Sequence, residues 1–193
     1  MNNRQRILET ALLLFNDRGT SAVSTNHIAE AAGISPGNLY YHFHNKEEII
    51  RMLFEQLFAA WDKAFELPSD RMPSITDVES MITANYQIIW QFRFAYRELA
   101  ALLRNDAVLQ TRYRAVRQQG YDGFAALIKA YVAAGVLSPP GNPNELATLT
   151  ELCWIVSEQW PINLELNGRA FDTAGIKEGA NLMRWVLKPL FKE

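Results

Sequence analysis

Cysteine is all but missing from this chain: Cys153 stands alone among 193 residues. A lone thiol closes no internal disulfide, which fits a reducing compartment. Its neighbours Leu152, Trp154 and Ile155 mark it as a buried apolar filler. No run of about 18 uncharged apolar residues occurs, the length a spanning helix requires, so no membrane partner is expected. The opening MNNRQRILET lacks the apolar core of a secretion signal, which points to a cytoplasmic protein. Charge of one sign is lacking too, with 19 Lys and Arg against 21 Asp and Glu. That balance argues against non-specific coating of nucleic acid, so any DNA binding must come from a local constellation.

Catalytic signatures are absent as well. There is no GxxxxGK phosphate loop and no GxSxG elbow. The only histidines are His27, His42 and His44, so none elsewhere can serve a Ser or Cys nucleophile. Their spacing suits no metal site and no cysteine lies near them. The reading is therefore not an enzyme, with no cofactor and no metal.

What the chain does have is helical periodicity nearly everywhere, with 49% apolar residues to build a core. Ile7, Ala11, Leu14 and Phe15 share one helix face, and Gly19 ends that helix. Ser24 or Thr25 caps a second helix, about Thr25 to Ala32, which Gly33 stops. Ser35 caps a third, with Pro36 at its first position. Asn45 caps a fourth, from about Lys46 to Phe65, and Glu48 completes a capping box. Further helices are expected at about Ile75–Gln91, Ala95–Leu103, Asp106–Ala134, Glu145–Leu166 and Asp172–Phe191. The fold class is all-α, with about nine helices. It is expected to comprise a three-helix helix-turn-helix domain at residues 1–46 and a helical bundle at residues 47–193.

The segment TNHIAEAAGISPGNLYYHF, residues 25–43, carries the function. Two short helices joined by a tight turn containing Gly form a helix-turn-helix. Ile28, Ala31, Ile34, Leu39 and Phe43 are spaced to face inward against Ile7, Leu14, Phe15 and Val23. The opposite face of the third helix presents Ser35, Gly37, Asn38, Tyr40, Tyr41 and His42. Hydroxyls suit phosphate oxygens, and Gly37 permits close backbone approach to a base edge. A helix of this width enters a major groove. A helical adaptor that binds only protein is the rival class, and it would have no need of this exposed face.

The run TNHIAEAAGISPGNLYYHFHNKEEI is similar to the DNA-binding domain of the TetR/AcrR family. The matching elements are Thr25, Ile28–Ala29, Ala32–Gly33–Ile34–Ser35, Gly37, Leu39–Tyr40, His42–Phe43 and Lys46–Glu47. The resemblance implies a dimeric transcriptional repressor on a palindromic operator in double-stranded DNA, released by a small-molecule effector. It implies that Thr25 touches phosphate and that Ser35, Pro36, Gly37 and Tyr40 face bases or nearby backbone. Asn38, Tyr41, His42 and Lys46 would contact phosphates. Residues 1–50 carry four cations, Arg4, Arg6, Arg18 and Lys46, against five acids, so binding must lean on geometry and on the arm with Arg4 and Arg6.

The remainder is rich in aromatics. Trp61, Tyr86, Trp90, Tyr121 and Trp154 are candidate lining for an apolar or amphipathic effector, against ordinary core as the plain account. Glu158 shares a helix face with Trp154 and either reaches solvent or an interface, or marks a polar spot in a pocket. Six arginines between Arg93 and Arg117 form either a solvated face or an anion site. The last two helices, with Leu149, Leu152, Leu182 and Val186 among their apolar residues, are expected to pair in a homodimer.

Overall fold

The structure is a computed structural model and describes residues 2–192. Among those residues it contains nine α-helices and no strand. They are α1 (Asn3–Arg18), α2 (Thr25–Ala31), α3 (Pro36–His42), α4 (Lys46–Ala64), α5 (Ile75–Gln91), α6 (Arg93–Asn105), α7 (Ala107–Ala133), α8 (Pro143–Leu166) and α9 (Thr173–Leu187). The all-α expectation holds. Two compact units emerge, Met1–Ala60 with Phe92–Arg112, and Trp61–Gln91 with Tyr113–Glu193.

In the first unit the local signals act as their chemistry requires. Gly19 ends α1 at φ 78°, its N–H bonding the carbonyl of Phe15 at 3.0 Å. Gly33, at φ 64°, lets the N–H of Ile34 reach the carbonyl of Ala29 at 3.0 Å. Ser24, not Thr25, caps α2. Its hydroxyl accepts from His27 N, and its own N–H donates to His27 Nδ1 at 3.3 Å, closing a capping box with histidine in the usual place of glutamate. Ser35 caps α3 with Pro36 at the first position. Asn45 Oδ1 accepts from Glu48 N, but Glu48 reaches back one residue further than a capping box would, to His44 N.

The core of this unit runs through Ile7, Leu8, Ala11 and Phe15 of α1, Ile28 and Ala29 of α2, Leu39 of α3, and Ile49, Leu53 and Phe54 of α4. Ala31, expected inside, is exposed. Ile28, Ala29 and Ala32 form the buried stripe instead, and Ala31 falls beyond its edge. Helix α6 is longer than expected and belongs here. Phe94 packs on Phe15 (ring centroids 5.5 Å apart) and edge-on to Phe54 (6.2 Å). Two ion pairs tie α4 to residues beyond the end of α6: Arg51 to Asp106 at 2.8 Å, and Arg112 bidentate to Glu55.

In the second unit α5, α8 and α9 pack closely because α9 gives up side chains at two positions. A Cβ on Gly175 would stand 2.8 Å from Leu164, and one on Gly179 would stand 2.6 Å from Tyr86 and 2.7 Å from Trp160. The indole N–H of Trp160 donates to the carbonyl of Gly175 at 2.8 Å. Pro161 sits buried inside α8, which continues past it to Leu166. The last helix ends earlier than its apolar pattern implied. Pro189 has no N–H to continue the α ladder, so Lys188–Leu190 tightens into a 3-10 turn. The chain then extends, with the N–H of Ser138 on the carbonyl of Leu190 at 2.7 Å and an isolated antiparallel bridge between Leu137 and Phe191.

Candidate nucleic-acid interface and effector site

Helices α2 and α3, with the turn at Ala32–Ser35, present the expected surface. Ser35, Pro36 and Gly37 are exposed at the start of α3. Tyr41 is 83% exposed and Tyr40 47%, the most open aromatic side chains of this unit. A Cβ on Gly37 would meet nothing within 4 Å, so no packing demand of this chain explains the glycine. Thr25 and Tyr40 share a hydrogen bond of 3.1 Å, and His42 stands edge-on to Tyr41. The structure thus brings together Thr25, Ser35, Pro36, Gly37, Tyr40, Tyr41 and His42 as one hydroxyl-rich, aromatic surface.

Two of the expected contact residues are already engaged. Asn38 is half-buried and accepts from Asn3 Nδ2 at 3.1 Å, while Arg6 donates to Asn3 Oδ1 at 3.0 Å. Arg4 lies over the Phe43 ring at 5.2 Å. The start of α1 is therefore fastened to the recognition helix through Asn3, a residue invisible to sequence reasoning because an amide near a terminus carries no periodic signal. Lys46 turns inward, its ammonium bonding the carbonyls of Thr20 (2.6 Å) and Val23 (3.0 Å) and leaving one proton uncommitted. A shallow recess of about 300 Å³ lies between α1 and α2, lined by Leu14, Arg18, His27, Glu30 and Ala31.

The candidate effector residues fall into groups. Tyr121 and Trp154 stack at 4.6 Å, with Gly120 making room beneath the indole. Glu158 is held by Arg117 in a close ion pair and accepts from the Tyr113 hydroxyl at 3.2 Å. Arg117 also reaches the Tyr121 hydroxyl (3.1 Å), which in turn donates to Glu151 (2.8 Å). Burial, then the charge of Glu158, pushes the Tyr113 phenol above its ordinary range. Burial alone would lower the Arg117 guanidinium, yet Glu158 raises it overall. Tyr86 is fully buried beside Gly179, and burial raises its phenol against a contact with Ser157. Trp90 is partly exposed and packs edge-on to Phe171 at 5.7 Å. Trp61 is half-buried near the end of α4. Of the arginines singled out in sequence, Arg112 and Arg117 hold carboxylates of this chain, and Arg97 donates to the carbonyl of Asn16. Among the described residues no three His, Cys, Asp or Glu side chains are grouped to hold a metal ion.

Two family models match successive parts of the chain. A family model described as bacterial regulatory proteins, tetR family, matches residues 7–53, and one described as bacterial transcriptional repressor matches residues 56–193. The chain is 37% identical over 90 residues to the HTH-type transcriptional repressor KstR2 of Rhodococcus jostii (strain RHA1), covering 45% of this chain and 43% of that protein. It is 27% identical over 147 residues to the HTH-type transcriptional regulator AcrR of Shigella flexneri, covering 69% and 66%. The alignment with KstR2 thus spans less than half of that relative's length. The fold resembles the crystal structure of a TetR-family transcriptional regulator from Marinobacter aquaeolei VT8, at a TM-score of 0.89 and 29% identity, covering all of this chain and 92% of that one.

Proposed function

Because the chain belongs to the tetR family of bacterial regulatory proteins, we propose that it is a cytoplasmic transcriptional repressor and not an enzyme. It binds a palindromic DNA operator as a homodimer and is released by a small apolar or amphipathic effector. The observation that carries the DNA reading is the exposed start of α3, where Gly37 has open space around it and Tyr40 and Tyr41 project beside Thr25. Residues 1–46 form the reading head, with Thr25, Ser35, Pro36, Gly37, Asn38, Tyr40, Tyr41, His42 and Lys46 as its contacts. Residues 47–193 supply effector binding and dimerisation.

Dimerisation is supported by apolar side chains left open on the last two helices: Leu152 and Ile155 on α8, Leu182 and Trp185 on α9, the last 68% exposed. Two-fold symmetry would set recognition helices about 34–36 Å apart, one turn of DNA. For the effector, Tyr121 and Trp154 offer an aromatic wall, and Glu158 with Arg117 a polar edge, the mixture an amphipathic molecule needs. Trp61, Tyr86 and Trp90 complete the proposed lining. Helix α4 carries Lys46 in its first turn and Trp61 in its last, so an effector pressing on Trp61 would act on the helix that succeeds the reading head.

A mobility-shift titration with DNA from upstream of the protein's own gene tests the DNA reading. Binding that survives excess mixed competitor is the expected result, and competition to zero would overturn it. Ligands found by thermal shift among apolar and fatty-acyl compounds should bind more weakly when operator is present, since coupling is reciprocal. Equal affinity with and without operator would remove the effector from the mechanism.

A further inference from the structure

Thr20 is buried in the turn between α1 and α2, and both its N–H and its hydroxyl need acceptors there. They find them on a residue 78 positions away. Glu98 of α6 accepts the Thr20 N–H on one carboxylate oxygen at 2.9 Å and the Thr20 hydroxyl on the other in a close contact. The favour is returned. Helix α6 starts at Phe92 with no cap from its own side chains, and Asn16 of α1, itself buried, accepts from the N–H of Phe94 at 3.0 Å. Arg97 then donates to the backbone carbonyl of Asn16 at 3.0 Å. Each helix supplies the acceptor that the other's end lacks. Gly19 is part of the arrangement, since a Cβ there would stand 3.0 Å from the Glu98 carboxylate.

The same turn is held from its other side by Lys46, whose ammonium takes the carbonyls of Thr20 and Val23. An anion sits on the turn's N–H side and a cation on its carbonyl side. Val23 is buried, Ser24 caps α2, and Thr25 bonds Tyr40 on the recognition surface. The clamped Thr20 thus lies a single short turn from Thr25.

We propose that Glu98 is a positioning residue for operator binding: its carboxylate, in reciprocal capping with Asn16, fixes the α1–α2 turn and thereby the placement of α2 beneath the recognition helix. The consequence for DNA rests on the proposed repressor function; the clamp itself does not. Glu98 is assigned no DNA contact of its own. It acts through Thr20, and its loss leaves two buried donors without an acceptor and α2 free to sample several orientations.

The test uses the full chain and four variants, Glu98→Ala, Thr20→Val, Thr20→Ser and the double variant Glu98→Ala with Thr20→Val, with DNA selected from a random pool by the parent protein. Glu98→Ala and Thr20→Val should weaken selected-site affinity by about ten- to a hundredfold, the worth of hydrogen bonds to a charged group. The double variant should lose little more than Glu98→Ala alone, because the hydroxyl bond that Thr20→Val removes is one of the two that Glu98→Ala removes. Thr20→Ser keeps the hydroxyl and should keep parental affinity. Amide exchange should quicken across residues 20–27 in Glu98→Ala, while α8 and α9 keep their protection. Parental exchange in residues 20–27 overturns the clamp, whether or not any DNA binds. Faster exchange with parental operator affinity overturns the positioning role and leaves Glu98 merely structural. Should the parent select no DNA at all, the repressor function falls, and the exchange measurement still decides the clamp. Should Glu98→Ala not fold, Thr20→Val against Thr20→Ser carries the same comparison.

Discussion

The hydroxyls of Thr25 and Tyr40 lie 3.1 Å apart, joining the first residue of α2 to the middle of α3 across the exposed face of the reading head. Both atoms are open to solvent, so the bond adds little stability. It links the Tyr40 ring to the start of α2.

Tyr40→Ala is therefore expected to weaken specific operator binding by about 1–3 kcal/mol with no fall in melting temperature. Tyr40→Phe keeps the ring and loses only the tie to Thr25, so its loss should be smaller. Fluorescence anisotropy beside a thermal melt measures both. Parental affinity in Tyr40→Ala would remove this face from the interface.

Lys46 is expected to show two separable roles. Two protons of its ammonium are committed to carbonyls of the α1–α2 turn, so Lys46→Ala should destabilise the protein by about 1.5–3 kcal/mol. The remaining proton is free for a phosphate, and its loss should lower the salt slope of DNA binding by about one unit. A changed melting temperature with an unchanged slope would assign Lys46 to the turn alone.

Gly179→Ala adds one methyl where Tyr86 and Trp160 already stand within 2.7 Å of its position. The α5–α8–α9 packing must then open, at a cost of about 1–3 kcal/mol. Gly123→Ala on α7, where nothing lies within 4 Å, is the control and should not destabilise. Urea titration of both variants decides the matter.

Cys153 is 4% exposed, and burial pushes its thiol up to about 12. The native protein should therefore resist thiol reagents at pH 8 and react only as fast as it opens, whereas urea-unfolded protein reacts at once. The folded state keeps its proton at pH values where an unfolded cysteine, ionising near about pH 8.5, has lost it. This contribution to stability is complete below that pH and is lost as pH rises toward about 12. Cys153→Ala should flatten the alkaline limb of a stability–pH curve. A limb as steep as the parent's would mean that other groups set it.

Much of the fold is readable from residues close together in the chain. Gly19 and Gly33 end helices because each sits at positive φ, and the Ser35–Pro36 pair starts α3 as caps and proline geometry require. The bounds of α5 fall where the apolar spacing puts them. The exposed face of α3 is legible because helix-turn-helix spacing is local. What stays hidden depends on distant partners. An asparagine at position 16 looks like an exposed helix residue until Phe94 supplies its donor, and the acceptors of Thr20 lie 78 residues on. The arginines after Arg93 read equally as a ligand site or a solvated face. Their carboxylate partners, Glu55 for Arg112 and Glu158 for Arg117, come from other helices. The candidate effector aromatics share that ambiguity, since periodicity marks a face as apolar without saying what it faces.

The proposed DNA contact of Gly37 sets recognition against folding. Its backbone is not at positive φ and no atom crowds its missing side chain, so alanine would fit and should stabilise α3 by about 0.5–1 kcal/mol. A laboratory selection for heat resistance alone would then favour Gly37→Ala, and the survivor would be a sturdier molecule blind to its operator. Screened for thermostability and DNA affinity together, this position should show the two traits moving in opposite directions. A region of the chain optimised for being folded would not look like this one.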